Sequence, residues 1–184
     1  MVFDTETTGL PNENSLPDIV TLGVTVVRNR EIAESVDHKT RPQKRISEEA
    51  QSIHGITNEQ VAGFESFDLQ WSQIADYLND QLIVIHNASF DWPILLDQAA
   101  QYHLNMPSIK GVFCSQKAAI SWAQAMDLPC SYRGPSLDTL TEALGVEDLR
   151  AKGDGIHGAK IDSRQTARVV EVMRRYGDRA RTAE

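Results

Sequence analysis

The chain has 184 residues, 41 % apolar and 24 % charged, the balance of a globular protein able to bury a core rather than of a disordered one. Its 18 basic and 26 acidic residues leave a net charge of −8, which excludes a protein that coats nucleic acid by bulk electrostatics but not one that handles it through placed cations and metal ions. No apolar run nears the ~20 residues of a membrane span, and no basic segment leads into an apolar one at the start, so neither a transmembrane helix nor a signal peptide is expected.

The opening "MVFDTETTGL" reads as a buried strand carrying Asp4 and Glu6 two positions apart, and therefore on one face. Residues 19–42 follow as two strands around a tight turn at Asn29-Arg30, ended by Pro42. Residues 46–64 give two short helical pieces parted by Gly55, the second capped by Thr57 with a carboxylate, Glu59, two positions on. A helix over 68–79 places Leu69, Ile74 and Leu78 on one side, and "QLIVIHN" is a continuous apolar run, the pattern of a fully buried strand. The stretch 90–104 is helical, with Pro93 tolerated in the first turn. Then come a strand at 109–114, a helix at 115–128 capped by Ser115, and a helix at 136–146 stopped by Gly145. The last helix, 161–177, repeats Thr166, Val169, Val170, Met173 and Tyr176 at helical spacing. A β-meander followed by alternating helices and strands predicts an α/β sandwich on a mixed sheet, in one domain over residues 1–184. Cys114 and Cys130 fit no disulfide scaffold and no zinc spacing, and read as reduced thiols of a cytoplasmic protein.

Polar punctuation recurs where strands end. "LIVIHN" runs into "ASFD", placing Asp91 at a helix start, and "HGAKID" places His157 and Asp162 across the start of the last helix. An aspartate at a helix start is ordinarily a cap. A carboxylate pair on an early strand is harder to dismiss, because uncompensated like charges cost stability. The natural compensation is a divalent cation, and an all-oxygen set suits Mg²⁺ or Mn²⁺ rather than zinc. Four carboxylates, Asp4, Glu6, Asp91 and Asp162, are what two-metal phosphate chemistry requires. The hexapeptide "GDGIHG" at 153–158 also matches the dinucleotide fingerprint, but no strand runs into it and no second parallel strand follows, so a glycine-rich loop delivering His157 explains it better.

Three segments in order, "FDTETTGL", "HNASFDWPIL" and "HGAKIDSRQTARV", resemble the motifs of the DEDDh 3′–5′ exonucleases, with "SIHGITNEQVAGF" and "SLDTLTEALGV" resembling connecting stretches of that group. The resemblance implies a ribonuclease H-like fold with a five-stranded mixed sheet flanked by helices. It implies two divalent metals, Mg²⁺ or Mn²⁺, on Asp4, Glu6, Asp91 and Asp162, with Asp4 shared, and His157 as the general base for the attacking water. Thr7, Thr8, Leu10, His54 and Phe90 would bind the terminal nucleotide. The expected activity is release of nucleoside 5′-monophosphates from single-stranded or frayed 3′ ends of DNA. The alternatives are a 3′–5′ exoribonuclease, and a non-catalytic polymerase- or nucleic-acid-binding module on the same fold. The implied partners are DNA 3′ ends, RNA in the alternative, and a DNA polymerase. Only Met1, Val2 and Phe3 precede Asp4, so a frayed first strand would hold the first metal ligand loosely. The chain ends soon after Asp162, which favours a stand-alone exonuclease or a catalytic fragment over a complete proofreading subunit.

Overall fold

The computed structural model describes residues 1–150 and 157–182, the last six of them as backbone. Its sheet begins with an antiparallel meander of β1 (Val2–Thr7), β2 (Ile19–Arg28) and β3 (Glu31–Arg41). The β2–β3 turn has positive φ at Asn29 (51°) and Arg30 (70°), the primed geometry whose twist matches that of a hairpin. Two parallel strands extend the other edge, β5 (Leu82–Ile85) beside β1 and β6 (Gly111–Cys114) beside β5. Among the described residues the sheet has six strands, not five, because β4 (Glu65–Ser66) pairs in parallel with the end of β3, giving the order β4-β3-β2-β1-β5-β6. Two residues carry no alternation, so nothing in the sequence marks β4 as a strand.

The faces of the sheet follow the two-residue period. Leu22 and Val24 of β2 join Phe3 in a core closed by α3 (Phe67–Leu78) and α4 (Ala88–Gln101), whose Ile74, Leu78, Ile94 and Leu95 are fully buried. Gly23 and Thr25 face the opposite layer, where α8 (Ala159–Thr182) lies across β1, β2 and β3. A second apolar cluster, Ala119, Leu137, Leu140 and Val169, joins α8 to α7 (Leu137–Ala143). The first strand is not frayed: the Met1 amine donates to Leu82 O at 3.1 Å, Val84 N–H donates to Met1 O at 2.8 Å, and Phe3 is fully buried.

Three local expectations need correction. Leu69 is exposed, because the buried phase of α3 is Phe67, Trp71, Ile74 and Leu78, one turn apart from one another. Thr57 caps α2 (Asn58–Val61) as expected, with Glu59 in the first turn, and Gln60 completes a reciprocal box. Helix α4 starts at Ala88, after Asn87 in the left-handed region (φ 68°), which moves Pro93 out of the first turn. The stretch 115–128 forms two pieces, α5 (Ser115–Ala118) and α6 (Ile120–Ala125), and Ser115 does not cap. Its hydroxyl lies 3.0 Å from His86 Nδ1 instead, in a buried contact that local sequence does not reveal. Gly55 likewise behaves as expected, ending α1 (Glu48–His54) with φ 71°. Both cysteines are free thiols, and among the described residues no helix is long and apolar enough to cross a membrane.

Candidate active site

Strand β1 alternates, so Asp4 and Glu6 face the α8 layer while Phe3 and Thr5 face α4. Asp4 is registered opposite Gly23 of β2. A Cβ at Gly23 would collide with the backbone of Ala159 and Lys160, so glycine lets the start of α8 rest directly on the sheet. The seating is fixed by Ser163, whose Oγ is 2.9 Å from Thr25 Oγ1, and it brings Asp162, in the first turn of α8, over the two β1 carboxylates. Ligand atoms of Glu6, His157 and Asp162 all lie within 4.8 Å of one another.

Asp91 arrives from the other face. The pairing of β1 with β5 is registered at Val2 and Val84 only. Past that point Thr5 turns its N–H and its hydroxyl to Asp91 Oδ1, at 3.0 and 2.7 Å, in place of a neighbouring strand. The left-handed turn at Asn87 makes this possible, swinging the chain from β5 straight into α4 and putting Asp91 in its first turn.

The third part is held from an unexpected direction. Arg150, whose side chain is 12 % exposed, donates from Nε to Asp162 Oδ1 at 2.6 Å and from Nη1 to Asp138 Oδ1 at 2.6 Å. Its position is set by Leu149 N–H, which donates to Gln165 Oε1 of α8 at 3.0 Å. His157 Nδ1 stands 3.3 Å from the other oxygen of Asp162, with its ring 41 % exposed at the rim. Its N–H donates to Ile53 O of α1 at 3.2 Å, tying the residue to the wall of the cleft. Most of "GDGIHG" lies outside the described residues, which resume at His157.

The electrostatics record the crowding. Burial first, then the charges of Asp91, Asp162 and Glu6, hold the Asp4 carboxyl well above the usual range. Burial and then Asp162 push Glu6 up to about 8, with Arg150 opposing. Burial also raises Asp91, against the two bonds from Thr5. One guanidinium thus compensates the cluster only in part. A site built of oxygen donors with charge still to be neutralised fits hard divalent cations.

Beside the cluster opens a cleft of about 610 Å³, within the size range of small-molecule and cofactor pockets. Thr7, Thr8, Leu10, His54 and Phe90 all line it. Their characters differ. Leu10 is 80 % exposed and projects across the mouth, and Phe90 is half-buried. Thr7 and Thr8 are buried, their hydroxyls already bonded to Gly9 O (2.8 Å) and from Asp18 N–H (3.0 Å). His54 is a buried strut: Ile56 N–H donates to its Nδ1 at 3.1 Å, so the proton sits on Nε2, which donates to Thr7 O at 3.2 Å. Sequence reasoning missed Arg150, for which no local signal exists. It also missed Thr5 as the partner of Asp91, which the strand period does signal by facing Thr5 away from Asp4 and Glu6. Lys44 and Arg45, part of a basic stretch visible in the sequence, line the cleft as well.

A mixed sheet whose β1 carboxylates stand beside Asp91, Asp162 and an imidazole, with a cleft alongside, offers the donor set that metal-assisted phosphate chemistry uses. Residues 1–170 match the RNase_T family model, described as exonuclease. The chain is 29 % identical over 181 residues to a PolC-type DNA polymerase III of Thermotoga maritima, covering 96 % of this chain and 12 % of that protein. It is 28 % identical over 179 residues to the DNA polymerase III subunit epsilon of Pasteurella multocida, covering 94 % and 67 %. The chain therefore spans about an eighth of the PolC-type relatives. Among solved structures it resembles exonuclease X in complex with 5′-overhanging duplex DNA, with TM-score 0.68, 26 % identity, and 96 % and 92 % of the two chains covered. The fold also matches the nuclease domain of 3′hExo, a DEDDh family member bound to rAMP, with TM-score 0.72, 20 % identity, and coverage of 96 % and 91 %. The chain belongs to the DEDDh 3′–5′ exonuclease family, whose members use divalent metal ions.

Proposed function

We propose that this domain removes nucleotides from single-stranded or frayed 3′ ends of DNA by hydrolysing the terminal phosphodiester, releasing nucleoside 5′-monophosphates. The observation that supports the reading is that ligand atoms of Glu6, His157 and Asp162 lie within 4.8 Å of one another, beside half-buried Asp4, whose carboxyl the charges of Asp91, Asp162 and Glu6 help to raise. Asp4, Glu6, Asp91 and Asp162 would hold two divalent ions, Mg²⁺ or Mn²⁺, which when bound supply activation of water and neutralisation of the leaving oxygen. His157 is the general base. With Nδ1 turned to Asp162 Oδ2 at 3.3 Å, Nε2 is the nitrogen left to accept a proton, as an imidazole can near neutral pH. The cleft beside the cluster receives the terminal nucleotide, with Leu10 and Phe90 as its apolar walls and Lys44 and Arg45 as its cations. The names of the relatives, PolC-type DNA polymerase III and subunit epsilon, support DNA over RNA and a polymerase as the partner.

The test is digestion of 5′-labelled DNA and RNA oligonucleotides of one sequence with Mg²⁺ or Mn²⁺. The expected product is a ladder shortening from the 3′ end of DNA, abolished by Asp4→Ala and slowed about 10²–10⁴-fold by His157→Ala. Absence of shortening from the 3′ end, or shortening indifferent to both substitutions, overturns the assignment. Faster digestion of RNA overturns the choice of DNA alone.

A further inference from the structure

Leu10 and Phe90 line two hollows at once. One is the cleft beside the carboxylates, and the other is a groove of about 650 Å³ whose far wall is Tyr132, Arg133 and Lys117. Tyr132 is 86 % exposed, an unusual position for a large ring that normally buries most of its area. The ring is nonetheless held on a firm base. Ser131 and Gly134 exchange backbone hydrogen bonds at 3.3 and 3.0 Å, and Ser131 Oγ accepts from Arg133 N–H at 3.2 Å while donating to Gly134 O at 3.0 Å. Gly134, with φ 121°, lies so close to the Gln116 carbonyl of α5 that a Cβ would collide with it, and Gln116 Nε2 donates to Pro135 O at 3.2 Å. Tyr132 and Arg133 thus form the tip of a turn anchored to a helix. The Arg133 guanidinium stands 5.2 Å from the tyrosine ring centroid and its Nε donates to the phenol oxygen at 2.8 Å, which fixes the orientation of the ring.

The charge of the groove is the reverse of the chain's. Against a net charge of −8, its described lining carries Lys117 and Arg133 and no carboxylate. An oriented, solvent-facing aromatic flanked by cations is the arrangement that binds single strands without reading their sequence, because every base has a face to stack and every linkage a phosphate. Continuity with the catalytic cleft through Leu10 and Phe90 identifies the strand that would reach it.

We propose that this groove is a stacking subsite for the nucleotides preceding the 3′-terminal one on a single strand, with a base on Tyr132 and phosphates on Arg133 and Lys117. The assignment rests on the reading of the cleft as the seat of a 3′ end. It makes affinity depend on strand length: a mononucleotide fills only the cleft, whereas a longer strand also reaches the groove.

The test uses fluorescence anisotropy of 5′-fluorescein-labelled dT10 in EDTA, where no hydrolysis intervenes, with unlabelled dTMP and dT10 as competitors. Tyr132→Ala is expected to weaken dT10 binding between about fivefold and a hundredfold, the range for loss of one base–aromatic stack, while Tyr132→Phe retains it. Arg133→Ala and Lys117→Ala should each lower the slope of log affinity against log salt by about 0.7, the value for one phosphate contact on a single strand. Equal dT10 affinity of Tyr132→Ala and the parent overturns the proposal, as does a loss that falls in the same proportion on dTMP, which would place the damage in the cleft. A parent protein that does not bind dT10 overturns it too. If dT10 binding depends on Tyr132 but Mn²⁺ elicits no digestion, the exonuclease reading fails and the groove stands. Digestion of dT10 with a KM indifferent to Tyr132→Ala removes the groove and leaves the exonuclease.

Discussion

Replacing Arg150 by methionine removes the charge at the centre of the carboxylate cluster while keeping a side chain of similar reach. The partner Asp138 is mostly exposed, so that arm of the fork contributes at most about 1 kcal/mol. The other arm joins two buried groups, Arg150 and Asp162, at 2.6 Å, and breaking such a pair leaves Asp162 uncompensated beside Asp4 and Glu6. The expected loss is about 3–5 kcal/mol, the range for removing one partner of a buried pair. For a chain of this size that is a fall in Tm of roughly 10 °C, measured by differential scanning calorimetry in EDTA at pH 7.5. Adding Asp162→Asn should restore part of the loss, because the double variant no longer buries an unpaired charge, so the pair should show a coupling energy above about 1 kcal/mol. Mn²⁺ should likewise narrow the gap between Arg150→Met and the parent. A single variant melting within about 2 °C of the parent, or a double variant that is merely the sum of the two single effects, would refute the role of Arg150 as internal counter-charge.

Gly23→Ala sets a methyl group against the backbone of Ala159 and Lys160, which must lift the start of α8; the expected cost is about 1–3 kcal/mol by urea denaturation, with weaker Mn²⁺ binding by calorimetry because Asp162 moves with the helix. A variant as stable as the parent and binding Mn²⁺ equally would contradict the close approach. Thr5→Val keeps the shape of the strand but deletes the hydroxyl donor to Asp91, an interaction with a charged acceptor worth about 1.5–3 kcal/mol, and should move the Asp91 titration, followed by NMR, further upward. Burial and the charge of Asp162 push the Glu6 carboxyl up to about 8 in the folded protein in EDTA, whereas an exposed carboxyl titrates near 4.5, so the contribution of Glu6 to stability is complete below the lower value and disappears as the pH rises through the upper one. Tm should therefore decline from pH 5 to 8 in EDTA and decline less in Glu6→Gln or with Mn²⁺; a parent Tm that climbs across that window argues against the raised carboxyl.

Much of the site could be read from letters because its parts sit where chain direction changes. Asp91 and Asp162 are each in the first turn of a helix, and Asp4 and Glu6 share a strand face, so short local patterns announce all four. Gly23 also left a readable trace, since a glycine inside a β-branched strand signals a close backbone approach, although which backbone only the packing reveals. Arg150 left none. Its two partners come from α7 and α8, and an arginine in a connecting loop looks like any solvated cation until those helices are placed. The misplaced details have the same origin. Ser115 has the right chemistry for a cap, but His86 of a neighbouring segment claims its hydroxyl, and the burial of α3 is phased by Phe67 and Trp71 rather than by the leucine that composition favours.

The division of β1 between two layers has a consequence for how the chain folds. One strand supplies groups to helices on opposite faces, and the partners of its carboxylates lie in the middle and near the far end of the sequence. Contacts of such long range close late, after the local hairpin of β2 and β3. A one-residue slip of β1 would turn Asp4 and Glu6 toward α4 and Phe3 and Thr5 toward α8, and leave no centre at all. In a variant that keeps Trp71 of the α3 layer as its one tryptophan (Trp92→Phe, Trp122→Phe), recovery of metal binding during refolding should accordingly trail the recovery of fluorescence, making the centre a register check completed only when both layers have docked.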